Sequence, residues 1–127
     1  MKSLSPNLIV QNVNASVEFY QSVLGFSLVQ TVPESGKYDW AMLQKENVTI
    51  MFQSIESMNK DLPEFDCHSI GGSFTLFIIL DEVELFYNSV KKDAEIFVEL
   101  HKTFYGMNEF TIKDPNGYLL TFAEPVA

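Results

Sequence analysis

The chain has 127 residues, of which 46% are hydrophobic and 20% charged, and its formal net charge is −9. That composition excludes a disordered chain, and the length suits one compact domain or two small modules sharing a core. Its basic residues are all lysines, which excludes nucleic acid as a partner and removes the bidentate guanidinium clamp for phosphate or carboxylate ligands.

In chain order, residues 4–10 predict a strand. Asn12 or Asn14 is placed to cap the helix that follows, with Glu18 supporting its first turn. Val17, Tyr20, Val23 and Leu24 recur at helical spacing, and Gly25 ends the helix as a left-handed cap. Residues 26–32 predict a strand stopped by Pro33. Ser35-Gly36 predicts a turn. Residues 38–43 and 48–53 then predict a hairpin around Lys45-Glu46-Asn47. Residues 54–69 are polar and weakly periodic, so they predict a connection with at most a short helical turn. Gly71-Gly72 opens a second half.

That half repeats the order. Residues 73–80 predict a strand. Asp81 is placed to cap a helix over 82–92, with Val83, Phe86, Tyr87 and Val90 on one face. Lys91 and Lys92 at its end complement the helix dipole. Residues 95–100 predict a strand of imperfect alternation, and 101–105 a loop or strand extension. Residues 107–113 and 118–124 predict a hairpin around Asp114-Pro115-Asn116-Gly117, where Pro sets φ and Asn-Gly accepts left-handed angles. The helix of the first half reads V-E-F-Y-Q-S-V over 17–23, and that of the second V-E-L-F-Y-N-S-V over 83–90. Helix position, helix letters and terminal hairpin all recur, which indicates a duplicated β-α-β-β-β unit. The module boundaries fall at 1–54 and 71–127, with 55–70 between them.

Within this frame, Val10-Gln11-Asn12-Val13-Asn14-Ala15-Ser16-Val17-Glu18-Phe19-Tyr20, followed by Leu24-Gly25-Phe26, resembles the opening of the vicinal oxygen chelate superfamily. That group holds glyoxalase I, bleomycin-resistance proteins, fosfomycin-resistance enzymes and extradiol dioxygenases. Glu109-Phe110-Thr111-Ile112-Lys113-Asp114-Pro115-Asn116-Gly117-Tyr118 is similar to the family's ending. Asn12 stands where Asp is usual and Asn108 where Arg is common. The resemblance implies an α+β fold in which two β-α-β-β-β modules form an incomplete barrel around a cleft. It also implies a homodimer.

Metal-dependent members of that family carry His, Glu or Gln on the first and last strand of each module. Carried onto this chain, those positions are Ser5, Met51, Thr75 and Thr121. None is a good ligand for a divalent metal. A small slip in the mapping offers Gln53 or Glu124, but a one-residue slip also turns the side chain to the other sheet face. His68 and His101 match no ligand position. The lone Cys67 predicts no internal disulfide, and its neighbour His68 does not make it a catalytic dyad. The expectation is therefore no metal and no cofactor. Glu109 or Glu99 remains as a general base if buried.

The same mapping turns Ser5, Asn7, Ile9, Met51 and Gln53 inward in the first module, and Thr75, Phe77, Leu119, Thr121 and Ala123 inward in the second. By resemblance to bleomycin-resistance-like members, Trp40, Phe104 and Tyr105 are the ligand-stacking aromatics; for Trp40 a place in the core or a dimer seam is the competing reading. Met107 and Phe110 read as core. Small hydroxyls and an amide among apolar groups suit a neutral or cationic organic molecule, and so does the acidic field. The expectation is a cytoplasmic homodimer that binds a small organic molecule, with no nucleic-acid or membrane partner. The N-terminal residues resemble neither a signal peptide nor an anchor. The alternatives are a metal-dependent lyase, isomerase or dioxygenase, and a structural or regulatory dimer without a ligand.

Overall fold

The computed structural model describes residues 1–64 and 70–127, so the adjacent Cys67 and His68 lie outside the described residues. Two units divide the chain, Met1–Ile70 and Gly71–Ala127.

In the first unit the order is β1 (Asn7–Val10), α1 (Val13–Ser22), β2 (Ser27–Val32), β3 (Trp40–Lys45), β4 (Val48–Ser54) and α2 (Ile55–Asp61). The sheet runs β1-β4-β3-β2, with β1 parallel to β4 and the other neighbours antiparallel. Strand alternation places Leu8, Val10, Ala41, Leu43, Ile50 and Phe52 on one buried face. Against it lie Val13, Val17 and Tyr20 of α1, with the Tyr20 ring 4.8 Å from Phe52 and 5.7 Å from Phe26.

Local chemistry explains where α1 starts and stops. Asn12 is extended and its side chain accepts from the Ala15 amide, so it is the cap. Asn14 does different work. Its amide donates to the Gly36 carbonyl and its oxygen accepts from the Tyr38 amide, which ties the β2–β3 loop to the helix. Glu18 does not support the first turn, which holds no acidic residue, because the helix begins at Val13 and Glu18 falls one turn too late. At the other end the Phe26 amide reaches the Tyr20 carbonyl and the Gly25 amide the Gln21 carbonyl. With Gly25 at φ +81°, its bond to Gln21 is the single closure of a left-handed glycine stop, and the Phe26 bond adds a second. The polar connection contains more helix than its sequence suggests: α2 makes about two turns over seven residues and is capped by Ser54.

In the second unit β5 (Thr75–Ile79), α3 (Val83–Val90), β6 (Glu95–Lys102), β7 (Met107–Lys113) and β8 (Leu119–Pro125) form a sheet of order β5-β8-β7-β6, the same topology as the first. Phe110, Ile112, Leu120 and Phe122 are buried on the face toward α3. Tyr87 and Phe86 of that helix stand 4.9 Å from Phe110 and Phe122 respectively. Phe110 is thus core, as predicted. His101 and Lys102 extend β6. The imperfect alternation of this strand has a cause, since its register against β7 shifts between Ile96 and Val98 and again before His101.

Two features of this unit depend on contacts between distant residues. Asp81 does not cap α3. The N-cap is Glu82, in a left-handed conformation and without a side-chain cap of its own. Instead the Glu124 carboxylate on β8 accepts from the Glu82 amide at 2.9 Å and the Val83 amide at 3.2 Å. At the β7–β8 turn, Asp114 Oδ1 accepts from the Asn116 and Tyr118 amides. Gly71 packs on that turn so closely that an added Cβ would meet the Asn116 carbonyl oxygen at 2.6 Å. No helix among the described residues is long and apolar enough to cross a membrane.

Candidate functional site

Each sheet has a second face, opposite α1 or α3, and the mapped residues fall on it. In the first unit the register sets Asn7, Met51 and Met42 in one cross-strand row, and Ile9, Gln53 and Trp40 in the next. Asn7, Met51, Gln53 and Trp40 therefore share a face. Ser5 lies just before β1, outside the strand, and is half-buried. The sheet does reach the intervening residue, since the Met51 amide donates to the Pro6 carbonyl.

Gln53 is 6% exposed and fully engaged. Its Oε1 accepts from Asn7 Nδ2 at 2.9 Å, and its Nε2 donates to Ser57 Oγ at 2.9 Å and Asp61 Oδ2 at 2.8 Å. The amide thus fastens α2 to the sheet. Met51 and Trp40 are half-buried beside it.

In the second unit the rows are Thr75 with Leu119 and Lys113, then Phe77 with Thr121 and Thr111, then Ile79 with Ala123, Glu109 and His101. Thr75, Phe77, Thr121 and Glu109 share this face. Thr75 and Phe77 are exposed. The Thr121 hydroxyl is 2.7 Å from that of Thr111, so it already has one partner.

Glu109 is buried at 8% exposure. The Tyr105 hydroxyl donates to its Oε1, while its Oε2 is shut from solvent and has no hydrogen-bond partner. The hydrogen bond to Glu109 holds the Tyr105 hydroxyl above its ordinary ionisation range, with desolvation and the carboxylate charge acting in the same direction. Phe104, fully exposed, stands edge-on to Tyr105 at 5.2 Å. Trp40 belongs to the first unit, Phe104 and Tyr105 to the second. Glu99, the other carboxylate considered as a base, is exposed.

A surface cavity of about 570 Å³ lies at the start of β5, lined among others by Phe74, Thr75, Phe97, Lys113 and Leu119. Lys113 Nζ sits 5.2 Å from the Phe97 ring centre and 3.8 Å from Glu95. Sequence reasoning missed Phe97 and Lys113. The register shift beside Phe97 breaks the alternation from which an inward position is read.

The side chains at the mapped positions do not fit a divalent metal. The mapped positions offer two hydroxyl side chains of threonine, one of serine and a thioether. The neighbouring candidates are committed elsewhere, Gln53 to Asn7, Ser57 and Asp61, and Glu124 to the start of α3. His101 Nδ1 lies 2.8 Å from the Glu99 carbonyl oxygen. Within either unit, no three His, Cys, Asp or Glu among the described residues are gathered as a metal cluster.

A duplicated β-α-β-β-β unit, with polar and apolar side chains on the sheet face opposite each crossover helix, defines an α+β protein of the glyoxalase and bleomycin-resistance fold. The chain belongs to the Glyoxalase/Bleomycin resistance protein/Dioxygenase superfamily, whose sequence model matches residues 3–122. Among solved structures it is similar to TioX from Micromonospora sp. ML1, at 19% identity and TM-score 0.76, covering 99% of this chain and 100% of that one. A glyoxalase/bleomycin resistance protein/dioxygenase from Nocardioides aligns at 16% identity and TM-score 0.80, over 99% and 85% of the two chains. Lactoylglutathione lyase from Agrobacterium tumefaciens aligns at 16% identity and TM-score 0.74, over 98% and 94%. At these identities the likeness concerns the fold. The search of curated proteins gives no match.

Proposed function

We propose that the protein binds a small neutral or cationic organic molecule without a metal, as a cytoplasmic homodimer, and sequesters it rather than transforming it. The observation that carries this reading is the identity of the four mapped positions, Ser5, Met51, Thr75 and Thr121, together with the engagement of Gln53 and Glu124 inside their own units. Enzymes of this fold that polarise an oxygen through a metal need donors that these residues do not supply. What the faces do offer is recognition chemistry: hydroxyls of Thr75 and Thr121, the thioether of Met51, and the rings of Trp40 and Phe77. The charge of −9 and the absence of arginine favour a ligand that is not anionic. Half-exposed apolar residues such as Phe77 and Ile79 support self-association.

Elemental analysis of gently purified protein tests the metal-free part. Far less than one divalent ion per chain is expected, and a stoichiometric ion that survives dialysis would overturn it in favour of a metal-dependent lyase, isomerase or dioxygenase. Binding is tested through Trp40, whose emission should change on saturation with a cationic aromatic compound. Trp40→Ala should cost about 1–3 kcal/mol of binding, the range for an aromatic anchor. Being half-buried, Trp40 should cost less in stability than the roughly 3–5 kcal/mol of a core tryptophan. Affinity should weaken as salt rises.

A further inference from the structure

Glu109 is the one buried side chain among the described residues with an oxygen left without a partner. Leaving a buried acceptor unmatched is costly, more so for a charged group. The cross-strand neighbours do not relieve it. Ala123 on β8 presents only a methyl group, and His101 on β6 is exposed, with Nδ1 beside the Glu99 carbonyl. Tyr105 holds the other oxygen of this carboxylate. Its hydroxyl bonds Oε1, yet the residue is 52% exposed. It stands in the short loop between β6 and β7, beside Gly106, around which an added Cβ would meet nothing within 4 Å. Half of the Tyr105 side chain thus lies outside the core, and its hydroxyl is the hydrogen-bond partner that Oε1 would exchange for another donor.

Resting on the ligand-binding reading above, we propose that Glu109 anchors a primary ammonium group of the ligand. The ammonium takes the place of the Tyr105 hydroxyl and supplies Oε2 with the donor it lacks. An ammonium carries three N–H donors and a full charge, so it satisfies both carboxylate oxygens, which one phenol does not. The displaced Tyr105 ring and the exposed Phe104 ring beside it offer π faces to the same cation. The chain has no arginine to compete for this carboxylate.

Three probes that share one benzyl group separate the contributions: benzylamine, protonated at neutral pH; benzyltrimethylammonium, with the charge and no N–H; and benzyl alcohol, with neither. Each is titrated calorimetrically into the intact wild-type protein, Glu109→Gln and Tyr105→Phe, with circular dichroism confirming the fold of each variant. Wild type should bind benzylamine at least ~10-fold more tightly than the other two, as a charge-assisted hydrogen bond requires. Glu109→Gln should abolish that preference, and Tyr105→Phe should strengthen benzylamine binding several-fold because no hydroxyl has to be displaced. Equal affinities in wild type, a preference that survives Glu109→Gln, or a Tyr105→Phe protein no tighter than wild type would each overturn the ammonium anchor while leaving small-molecule binding intact. Failure of all three probes to bind wild type would overturn the binding reading itself, and this proposal with it.

Discussion

Tyr105 and Glu109 show how one hydrogen bond changes the chemistry of both partners. Ionising Tyr105 would break the bond to Glu109, strip a partly desolvated oxygen of its proton, and set a phenolate against a carboxylate. The hydroxyl should therefore titrate above the ordinary tyrosine value of about 10. The difference in tyrosinate absorbance between wild type and Tyr105→Phe isolates this group. Glu109→Gln should move its midpoint down. Because the proton is held more tightly in the folded state, the linked stability is fully present below pH 10 and is lost as pH rises through the raised value. A Tyr105 that titrates like free tyrosine in the wild-type protein would contradict the hydrogen bond.

The two crossover helices solve the same problem in different ways. Helix α1 takes its cap from Asn12, adjacent in sequence, whereas α3 takes its cap from Glu124, 42 residues from Glu82 along the chain. The Glu124 carboxylate serves two amides at once and places negative charge at the positive end of the helix. Glu124→Ala should cost about 0.5–2 kcal/mol, the range for losing a helix cap. Asp81→Ala should cost little, since Asp81 does not cap the helix. Urea unfolding of the two variants checks the pair, and an Asp81→Ala loss equal to that of Glu124→Ala would refute the assignment. Engagement of this kind also removes Glu124 from the set of residues free to meet a ligand.

At the scale of the whole molecule, the composition leaves apolar side chains in water. Phe77, Ile79 and Phe97 are each about half exposed on the second unit, and Val29 and Val32 on the first. Covering such surface by pairing with a second copy follows the usual symmetry of small proteins. Light scattering should give twice the chain mass of 14.5 kDa. A mass that stays at one chain over a wide concentration range would show that the exposed rings serve another purpose.

The duplicated β-α-β-β-β order was readable directly, because alternation, helical spacing and turn residues such as Gly25 and Asp114–Gly117 act over a few neighbours. Residue identity alone likewise showed that Ser5, Met51, Thr75 and Thr121 are poor metal donors. The family mapping also turned Gln53 to the face opposite its crossover helix, whereas Glu109 was legible only as a carboxylate whose use depends on burial. What each of those side chains does was decided by tertiary contacts. Gln53 meets Asn7 from 46 residues away and is saturated, whereas Glu109 is buried with one oxygen unmet. Alternation tells which way a side chain points, but whether its hydrogen bonds are satisfied depends on partners brought in from elsewhere in the chain. The shifted register of β6 hid Phe97 for a related reason, since one irregular step in a strand reverses every inference from parity that follows it.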